Sequence, residues 1–402
     1  MADASYYPRG FGLKSRIEGQ LDEDYRSRIV EYLKSHDYTL RAGDVTFRLA
    51  EEFGFCYGVD RAVDYAYETR SRFPDRSLYI TGEIIHNPHV NSRLREMGIR
   101  FLSGAGAHPD AWDRLSPADV VILPAFGVTV EQMGLLQEKG CTLVDTTCGS
   151  VLNVWKNVER YAKDGFTSLI HGKYNHEETR ATASRTSLHP DGKYLVVRDL
   201  EETDLVARMI RFGGEAGAFL ERFASACSTG FDPGTDLERV GLANQTTMLS
   251  SESLQVAEMI RRAMADRYGE GNLPAHFRSF DTICSATQDR QDAVGRLLQS
   301  GVSLMLVIGG YNSSNTNHLA ELAAEKVPTY HIEDASCLLG KSSIRHKRVG
   351  EKSPSMDGPW LPDGPVVVGI TAGASTPNNR IGEVVERVLR LRGLDPSDLP
   401  LD

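Results

Sequence analysis

The sequence predicts an α/β protein built from several similar modules with parallel strands, and two observations carry this prediction. From Val45 onward, short apolar runs alternate with longer segments of helical periodicity, which is typical of parallel strands joined by helices. The loops that follow several strands also repeat one outline of strand, small turn, polar cluster and helix. Residues 168–182 and 304–322 share this outline, including a Tyr-Asn pair. Such repetition favours similar modules over one long sheet.

The elements follow from these patterns in chain order. Strands are predicted at 77–81, 120–124, 142–145, 168–171, 194–197, 240–243, 303–308, 329–332 and 366–371. Helices are predicted at 59–72, 130–139, 150–164, 251–268, 289–299, 317–326 and 381–392. Residues 1–44 are polar and predict an extension with one helix near 23–35 and a turn at 41–44.

Two polar insertions, 211–238 and 340–364, interrupt the alternation and are interpreted as surface excursions. The second is the most basic segment of the chain, with Lys341, Arg345, Lys347, Arg348 and Lys352. A solvated loop is the main interpretation of this segment. A docking patch for an acidic electron carrier is the alternative.

Length and composition narrow the classes of function. At 402 residues, two or three domains are expected. A net charge of −10 disfavours a nucleic-acid or anionic-membrane binder, but it allows an anionic substrate in a local pocket. The six cysteines lack the spacing of a disulfide framework, which favours a reducing compartment, with the cytoplasm as the expected location. No stretch reaches the ~18 to 20 apolar residues of a membrane span.

Three cysteines share a local context, at the end of an apolar run and before a predicted helix: Cys56, Cys148 and Cys284. The last two also share the pattern Asp-Thr-x-Cys. A helix N-terminus favours a thiolate, and three thiolates suit a metal or iron–sulfur centre with one open position. Three buried, unrelated cysteines are the alternative. Cys141, Cys227 and Cys337 have less distinctive surroundings and are predicted to be structural.

Polar clusters follow the predicted strands, where open α/β sheets bind ligands. The run from Asn312 to Asn317, with Ser313, Ser314 and Asn315, offers helix caps and also neutral donors to an oxyanion. The loop containing Ser375 is similar, so a shared phosphate or diphosphate cradle is predicted. A simply capped turn is the alternative. No glycine-rich nucleotide motif follows a strand.

Three further clusters add candidate residues. His176 precedes Glu177 and Glu178 at a predicted helix start, where an imidazole can bind phosphate and a carboxylate beside an anion becomes a proton donor. Acids that complement the helix dipole are the equal alternative. His86 follows a strand-like run and is a polar loop ligand. Gln245 and Thr246 lie in an Asn-Gln-Thr-Thr run at a strand end, which fits a substrate-hydroxyl site.

Eight ordered motifs together resemble the iron–sulfur hydroxymethylbutenyl diphosphate reductases, from about Val45 to the C-terminus. They are FGFCYGVDRAV, IIHNPHVN, DTTCGSV, HEETRATAS, NQTTM, ICSATQDRQDAV, GGYNSSNTNHLAEL and TAGASTP. The N-terminal stretch RGFGLKS and both insertions are similar to the longer plant and cyanobacterial branch. The resemblance implies three α/β modules in a trefoil around a central 4Fe-4S cluster. The corresponding ranges are an extension (1–44), three modules (45–147, 148–281 and 282–368) and a segment returning to the active site (369–402).

The same resemblance implies roles for individual residues. It implies that Cys56, Cys148 and Cys284 bind the cluster, and that the iron without a protein ligand takes the substrate hydroxyl oxygen. The residues implied to hold the diphosphate are His86, His176, Ser313, Ser314, Asn315 and Ser375. Glu178 is implied to deliver protons and Thr246 to position the substrate oxygen, with Gln245 counted as substrate-binding. The implied products are isopentenyl and dimethylallyl diphosphates, and the implied electron donor is ferredoxin or flavodoxin.

One departure from the shorter members concerns the diphosphate site. Where they carry an Ala-His-Gly loop, this chain has Ala125, Phe126 and Gly127. The phenyl ring of Phe126 cannot bond a diphosphate, so that contact is lost or supplied by another group. The longer branch shares the change, and the predicted activity stands.

Two alternatives from other classes remain. The first is a non-redox metal- or diphosphate-binding protein, in which the cysteines hold zinc or nothing. The lack of closely spaced ligands around any of the three cysteines disfavours structural zinc. The second is a transferase with one cysteine nucleophile, which leaves the other two cysteines unexplained.

Overall fold

The computed structural model describes residues 6–104, 106–280 and 283–401. The chain forms two compact units. The first unit contains residues 6–9, 76–82 and the described part of 101–284, and the second unit contains residues 10–75, 83–100 and 285–401.

The strands and helices are as follows in chain order. The strands are β1 (Tyr6–Tyr7), β2 (Thr39–Ala42), β3 (Val45–Leu49), β4 (Leu78–Ile80), β5 (Ile99–Phe101), β6 (Val120–Leu123), β7 (Thr142–Asp145), β8 (Thr167–His171), β9 (Tyr194–Val197), β10 (Val240–Asn244), β11 (Phe277–Ser279), β12 (Leu304–Ile308), β13 (Thr329–Ile332), β14 (Leu338–Gly340), β15 (Ser343–His346), β16 (Ser355–Asp357) and β17 (Val366–Ala372). The helices are α1 (Lys14–Tyr25), α2 (Arg28–Ser35), α3 (Tyr57–Arg72), α4 (Pro88–Glu96), α5 (Val130–Glu138), α6 (Gly149–Lys163), α7 (Glu177–Ser184), α8 (Leu200–Phe212), α9 (Ala216–Arg222), α10 (Ser250–Tyr268), α11 (Leu273–His276), α12 (Ser285–Gln299), α13 (Ser314–Ala324) and α14 (Asn378–Leu391).

The first unit holds two parallel sheets. In one of them β1, β7, β6 and β4 are neighbours in that order, and Tyr6 pairs with Leu143. In the other the order is β11, β10, β8 and β9. Every residue of β6, β8 and β10 is buried, as expected for strands covered on both faces. The strand β5 is where the chain passes from the second unit into the first.

The second unit is built on a sheet with the order β13, β12, β17, β3 and β2. The first four strands are parallel, and β2 runs antiparallel to β3. A tight turn joins β2 to β3 at Gly43, whose φ of +58° suits glycine. Residues of α2, α14 and the sheet share one apolar core, which includes Leu33, Phe47 and Val385. A separate antiparallel sheet has the order β14, β15 and β16.

The predicted α/β class with parallel strands is confirmed. Every predicted strand is present, and the strands 142–145, 194–197 and 329–332 have the predicted bounds. The helices α4 and α7 are not among those predicted from periodicity, because they are short and have too few apolar residues to show a clear periodicity. The module boundaries drawn from the resemblance stay a prediction.

Two segments differ from their sequence interpretation. The N-terminal extension has two helices instead of one, because Ser27 caps a new helix and accepts a hydrogen bond from the Val30 amide at 3.4 Å. The last part of the N-terminal extension, β2, is a strand of the second unit's sheet. The insertion 340–364 is more than a surface excursion, because Ile344 and Trp360 are buried in the core of the second unit. The insertion 211–238 contains the short helix α9.

Candidate functional site

The three cysteines with matching sequence context stand before helices. Cys56 is the N-cap of α3, Cys148 is the N-cap of α6, and Cys284 directly precedes α12. All three are half-buried, and none of the six cysteines, each within the described ranges, forms a disulfide. Asp281 and Thr282 of the second Asp-Thr-x-Cys motif lie outside the described residues.

The backbone around these cysteines also follows one pattern. Each cysteine amide donates to the carbonyl of the second residue after a parallel strand. The bonds run from Cys56 to Ala374 (3.2 Å), from Cys148 to Ala125 (3.0 Å) and from Cys284 to Thr246 (3.3 Å). The strands concerned are β17, β6 and β10. The three cysteines therefore occupy equivalent positions in their sheets, as the repeated sequence context predicted.

In the first unit, Glu178 and Thr246 form a buried pair. Glu178 lies in the first turn of α7 and is 2% exposed, and Thr246 follows β10 and is 5% exposed. The Thr246 amide donates to Glu178 Oε1 at 2.6 Å, and its hydroxyl donates to Oε2 at 3.0 Å. Two donors from one residue fix the plane of the carboxyl group.

His176 precedes this carboxylate as the N-cap of α7. Its Nδ1 accepts a hydrogen bond from the Glu178 amide at 3.2 Å. The Phe126 ring packs edge-on against the imidazole, with centroids 5.6 Å apart. Phe126 is thus an apolar support for His176. This apolar contact is consistent with the prediction that Phe126 itself does not bind the diphosphate.

Gln245 links the loops that follow β8 and β10. Its Oε1 accepts hydrogen bonds from the Lys173 amide at 3.0 Å and the Thr179 hydroxyl at 3.1 Å. Its Nε2 donates to the Thr247 hydroxyl at 2.8 Å. This cross-link holds the Glu178 turn against the strand end that carries Thr246. A role for Gln245 in substrate binding stays a prediction.

In the second unit, the loop after β12 meets the loop after β17. Ser313 caps α13 and accepts from the Thr316 amide at 3.3 Å, while Ser314 and Asn315 begin the helix and are buried. Asn315 Oδ1 accepts from the Ala374 amide at 2.9 Å. The carbonyl of that same Ala374 accepts from Cys56. The backbone of Ala374 therefore joins Cys56, a predicted cluster ligand, to Asn315, a predicted diphosphate ligand.

Asn315 has a donor left over at this junction. Its side chain is 2% exposed, and Nδ2 has no hydrogen-bond partner among the described protein atoms. A buried amide donor without a partner costs about 1 to 3 kcal/mol. A ligand with oxygen acceptors removes this cost, so the loop is suited to an anion.

His86 and His89 of the second unit lie three residues apart in the sequence, and they have different partners in the structure. The His86 carbonyl accepts from the Ser375 hydroxyl at 3.1 Å, and its Nδ1 lies 2.9 Å from Glu83 Oε2. His89 Nε2 instead pairs with Asp334 at 2.8 Å and holds the pKa of that carboxyl well below its usual range. Only His86 reaches the candidate diphosphate loops of this unit.

Sequence reasoning missed several residues of the site. Ala374 contributes through its backbone alone, so its residue type carried no signal. Thr179 could have been recognised from the sequence, because it directly follows Glu178 in the HEETRATAS motif. Two of the three remaining cysteines are engaged elsewhere: Cys141 Sγ lies 3.4 Å from the Ser116 carbonyl, and Cys337 Sγ lies 3.4 Å from the Tyr311 hydroxyl.

A membrane-spanning helix is not found among the described residues, because none of their helices combines the necessary length and hydrophobicity.

Comparison with known proteins adds family relationships to this geometry. Residues 47–389 match the family model described as LytB protein. A relative from Thermosynechococcus vestitus is 49% identical over 391 residues, which cover 97% of this chain and 96% of the relative. A relative from Gloeobacter violaceus is 50% identical over 402 residues, which cover 99% of this chain and 95% of the relative. Both are named 4-hydroxy-3-methylbut-2-enyl diphosphate reductase.

Solved structures give a consistent result. A structure of (E)-4-hydroxy-3-methyl-but-2-enyl diphosphate reductase, the terminal enzyme of the non-mevalonate pathway, matches 86% of this chain and 99% of its own with 28% identity and a TM-score of 0.51. The Plasmodium falciparum reductase structure matches 85% of this chain and 87% of its own with 20% identity and a TM-score of 0.59, and it supports the fold alone. The family model covers most of the sequence, and the relatives align over almost all of it. The chain therefore belongs to the LytB protein family.

Proposed function

We propose that this chain is a reductase that removes the hydroxyl group of 4-hydroxy-3-methylbut-2-enyl diphosphate. The substrate takes up two electrons and two protons, its allylic C–O bond breaks, and water leaves. The products are isopentenyl and dimethylallyl diphosphates, depending on which end of the allyl group is protonated. The observation that carries the proposal is the set of three equivalent cysteines, in a chain whose relatives bear this enzyme name.

The proposed cofactor is a 4Fe-4S cluster held by Cys56, Cys148 and Cys284. The donor set fits such a group, because all three thiols are half-buried and each stands at a helix start, where thiolate is favoured. Three ligands for four irons leave one iron open to a substrate atom. When bound, the cluster supplies the two electrons one at a time.

The proposed diphosphate ligands come from loops at strand ends. Ser313, Ser314 and Asn315 present hydroxyl, amide and backbone N–H groups at the start of α13, where the helix dipole favours an anion. The partnerless Nδ2 of Asn315 supports this role. The other proposed diphosphate ligands are His86, His176 and Ser375, and Gln245 is proposed to bind another part of the substrate. Anchoring the diphosphate orients the reacting end of the substrate.

Glu178 is the proposed proton donor, and Thr246 is the proposed group that positions both the carboxyl and the substrate oxygen. Thr246 holds Glu178 in one orientation through its amide and hydroxyl. A fixed, buried carboxyl can transfer a proton without first reorganising water. The Thr246 hydroxyl can also turn between this carboxylate and a substrate oxygen, because its hydrogen rotates freely about the C–O bond.

The proposed electron donor is ferredoxin or flavodoxin. A reducing compartment such as the cytoplasm is the proposed location, because the cysteines form no disulfide within the described ranges and the cofactor is oxygen-sensitive.

Anaerobic purification tests the proposal. The wild-type protein should be brown, with about four irons and four sulfides per chain, and should consume the diphosphate substrate with a strong reductant. Serine at Cys56, Cys148 or Cys284 should abolish turnover and reduce the iron content. Serine at Cys227, a half-buried cysteine outside the set, is the matched control and should change neither. Colourless, iron-free protein with full activity would refute the proposed cofactor.

A further inference from the structure

The insertion 340–364 has a structural role that its basic composition did not predict. Its strand β15 pairs with β14 and β16, and Ile344 of β15 is buried in the core of the second unit. Trp360 is buried beside it, and its indole N–H donates to the Gly340 carbonyl at 2.7 Å. The insertion is therefore firmly attached to the second unit, and it can transmit a fixed position to a neighbouring loop.

Lys347, directly after β15, extends from this sheet to the loop between β12 and α13. Its amide donates to the His331 carbonyl on β13 at 2.9 Å, which fixes the backbone. Its ammonium donates to the Tyr311 carbonyl at 3.0 Å and to Asn317 Oδ1 at 2.9 Å. A half-buried lysine from the insertion thus bonds both the loop that precedes α13 and the first turn of that helix.

Asn317 completes the bracing from the first turn of α13. Its Nδ2 donates to the Tyr311 carbonyl at 3.1 Å and to the Ser313 carbonyl at 2.7 Å. Tyr311 therefore accepts two hydrogen bonds, one from Lys347 and one from Asn317. Because Ser313 is the N-cap of α13, these bonds hold the backbone that presents Ser313, Ser314 and Asn315.

The ammonium of Lys347 also places a positive charge close to the start of α13. A helix N-terminus already carries a partial positive charge, and a cation nearby strengthens its attraction for an anion. Two other basic residues of the insertion are directed elsewhere. Lys341 pairs with Asp363 at 2.6 Å, and Arg348 pairs with Asp357.

We propose that Lys347 is a positioning residue for diphosphate binding, which braces the loop before α13 against the first turn of that helix and adds positive potential there. The role rests on the proposed function, since it concerns the same diphosphate loop. Through Lys347, the insertion 340–364 increases the affinity for the substrate. Lys347 is not proposed to touch the reacting atoms.

The test compares Lys347→Met with the wild-type holoenzyme. Binding of inorganic pyrophosphate by titration calorimetry should weaken about tenfold, as expected for losing a hydrogen-bonded charge. KM for the substrate should rise by a similar factor, whereas kcat and iron content should change less than twofold. Lys347→Arg should recover part of the affinity, because it restores the charge. Lys341→Met removes a lysine from the same insertion and should leave all four quantities unchanged.

The outcomes separate the two proposals. Wild-type protein that fails to bind pyrophosphate would refute the proposed function and this inference with it. Wild-type binding together with equal affinity in Lys347→Met would refute only the role of Lys347. If the methionine variant does not fold, Lys347→Gln keeps a hydrogen-bonding group without charge, and unchanged affinity in that variant would equally overturn the role. A fall in kcat at constant KM would contradict positioning of the diphosphate.

Discussion

Thr246 donates two hydrogen bonds to the Glu178 carboxyl group, one from its amide at 2.6 Å and one from its hydroxyl at 3.0 Å. The two residues are far apart in sequence and meet because β8 and β10 are adjacent parallel strands. Each follows its strand by a short loop, so their meeting depends on the register of this pair. The amide half of the contact does not involve the Thr246 side chain, so every residue except proline can supply this donor.

Glu178→Gln should abolish most turnover while keeping the cofactor and the substrate affinity. The amide is nearly the same size as the carboxyl but cannot deliver a proton, and general acid catalysis is worth roughly 10² to 10⁴-fold in rate. The measurements are anaerobic kcat, KM and iron content. Glu201→Gln, an exposed first-turn acid on α8, makes the same chemical change away from the site and serves as control. Turnover above half of wild type in Glu178→Gln would remove its role as proton donor.

Asn315→Asp should weaken diphosphate binding and leave the fold intact. Aspartate keeps the oxygen that accepts from the Ala374 amide at 2.9 Å, but it replaces the buried Nδ2 donor with a charged oxygen. Losing a donor to a charged ligand and adding repulsion should cost about 2 kcal/mol or more, which raises KM at least thirtyfold. The control is the exposed Asn272→Asp. An unchanged KM would mean that the loop does not bind the diphosphate.

Residue patterns predicted more of the site residues than of the residues that hold them in place. Polar residues after apolar runs correctly marked strand ends, because parallel strands bring their carboxyl ends to one edge and their loops must be polar. Ser313 is a helix cap, as its polar run predicted, and His176 stands at a helix start, as its context predicted. The common position of the cysteines also follows from local sequence, since each stands at a helix start.

What the sequence did not predict depends on contacts between distant segments. Ala374 acts through its peptide groups, and an alanine carries no side-chain chemistry to recognise. Lys347 belongs to a basic segment that looked like a solvated loop, and only the packing of Ile344 and Trp360 shows that this segment is fixed. Likewise, no periodicity indicates that Tyr6 pairs with a strand more than a hundred residues away.

Tyr6→Phe should loosen the loop that carries Cys148. The Tyr6 hydroxyl donates to Asp145 Oδ2, and Asp145 Oδ1 accepts from the Thr147 amide at 2.8 Å and hydroxyl at 2.5 Å. Burial and the Asp145 carboxylate raise the pKa of Tyr6, so it stays a donor at neutral pH. Losing one such bond costs about 1 kcal/mol, or about fivefold in the rate of iron loss to a chelator.

Tyr194→Phe is the control for that measurement, because it removes a hydroxyl from the other sheet of the same unit. Equal rates of iron release in Tyr6→Phe and wild type would show that β1 does not stabilise the Cys148 loop.

Two buried histidines should make stability fall as the pH drops from about 6.5 to about 4. Burial lowers the pKa of His171 and of His331 to about 4. An unfolded chain has histidines near 6.5, so in this interval it binds protons that the folded chain does not. The free energy of unfolding should therefore decrease by about 2 kcal/mol per histidine between pH 7 and pH 5 and should be flat above pH 7.

Neutral hydrogen-bonding replacements test this origin of the pH dependence. His171 Nδ1 lies 2.9 Å from the Ser253 hydroxyl, and His331 Nε2 lies 3.0 Å from the Gly309 carbonyl. Glutamine at either position should lower stability at pH 7 but reduce the loss between pH 7 and pH 5, as measured by anaerobic urea unfolding. His36→Gln, at an exposed position, should keep the wild-type pH dependence. If both buried variants also keep it, other groups cause the loss, because a residue that no longer titrates cannot contribute to the slope.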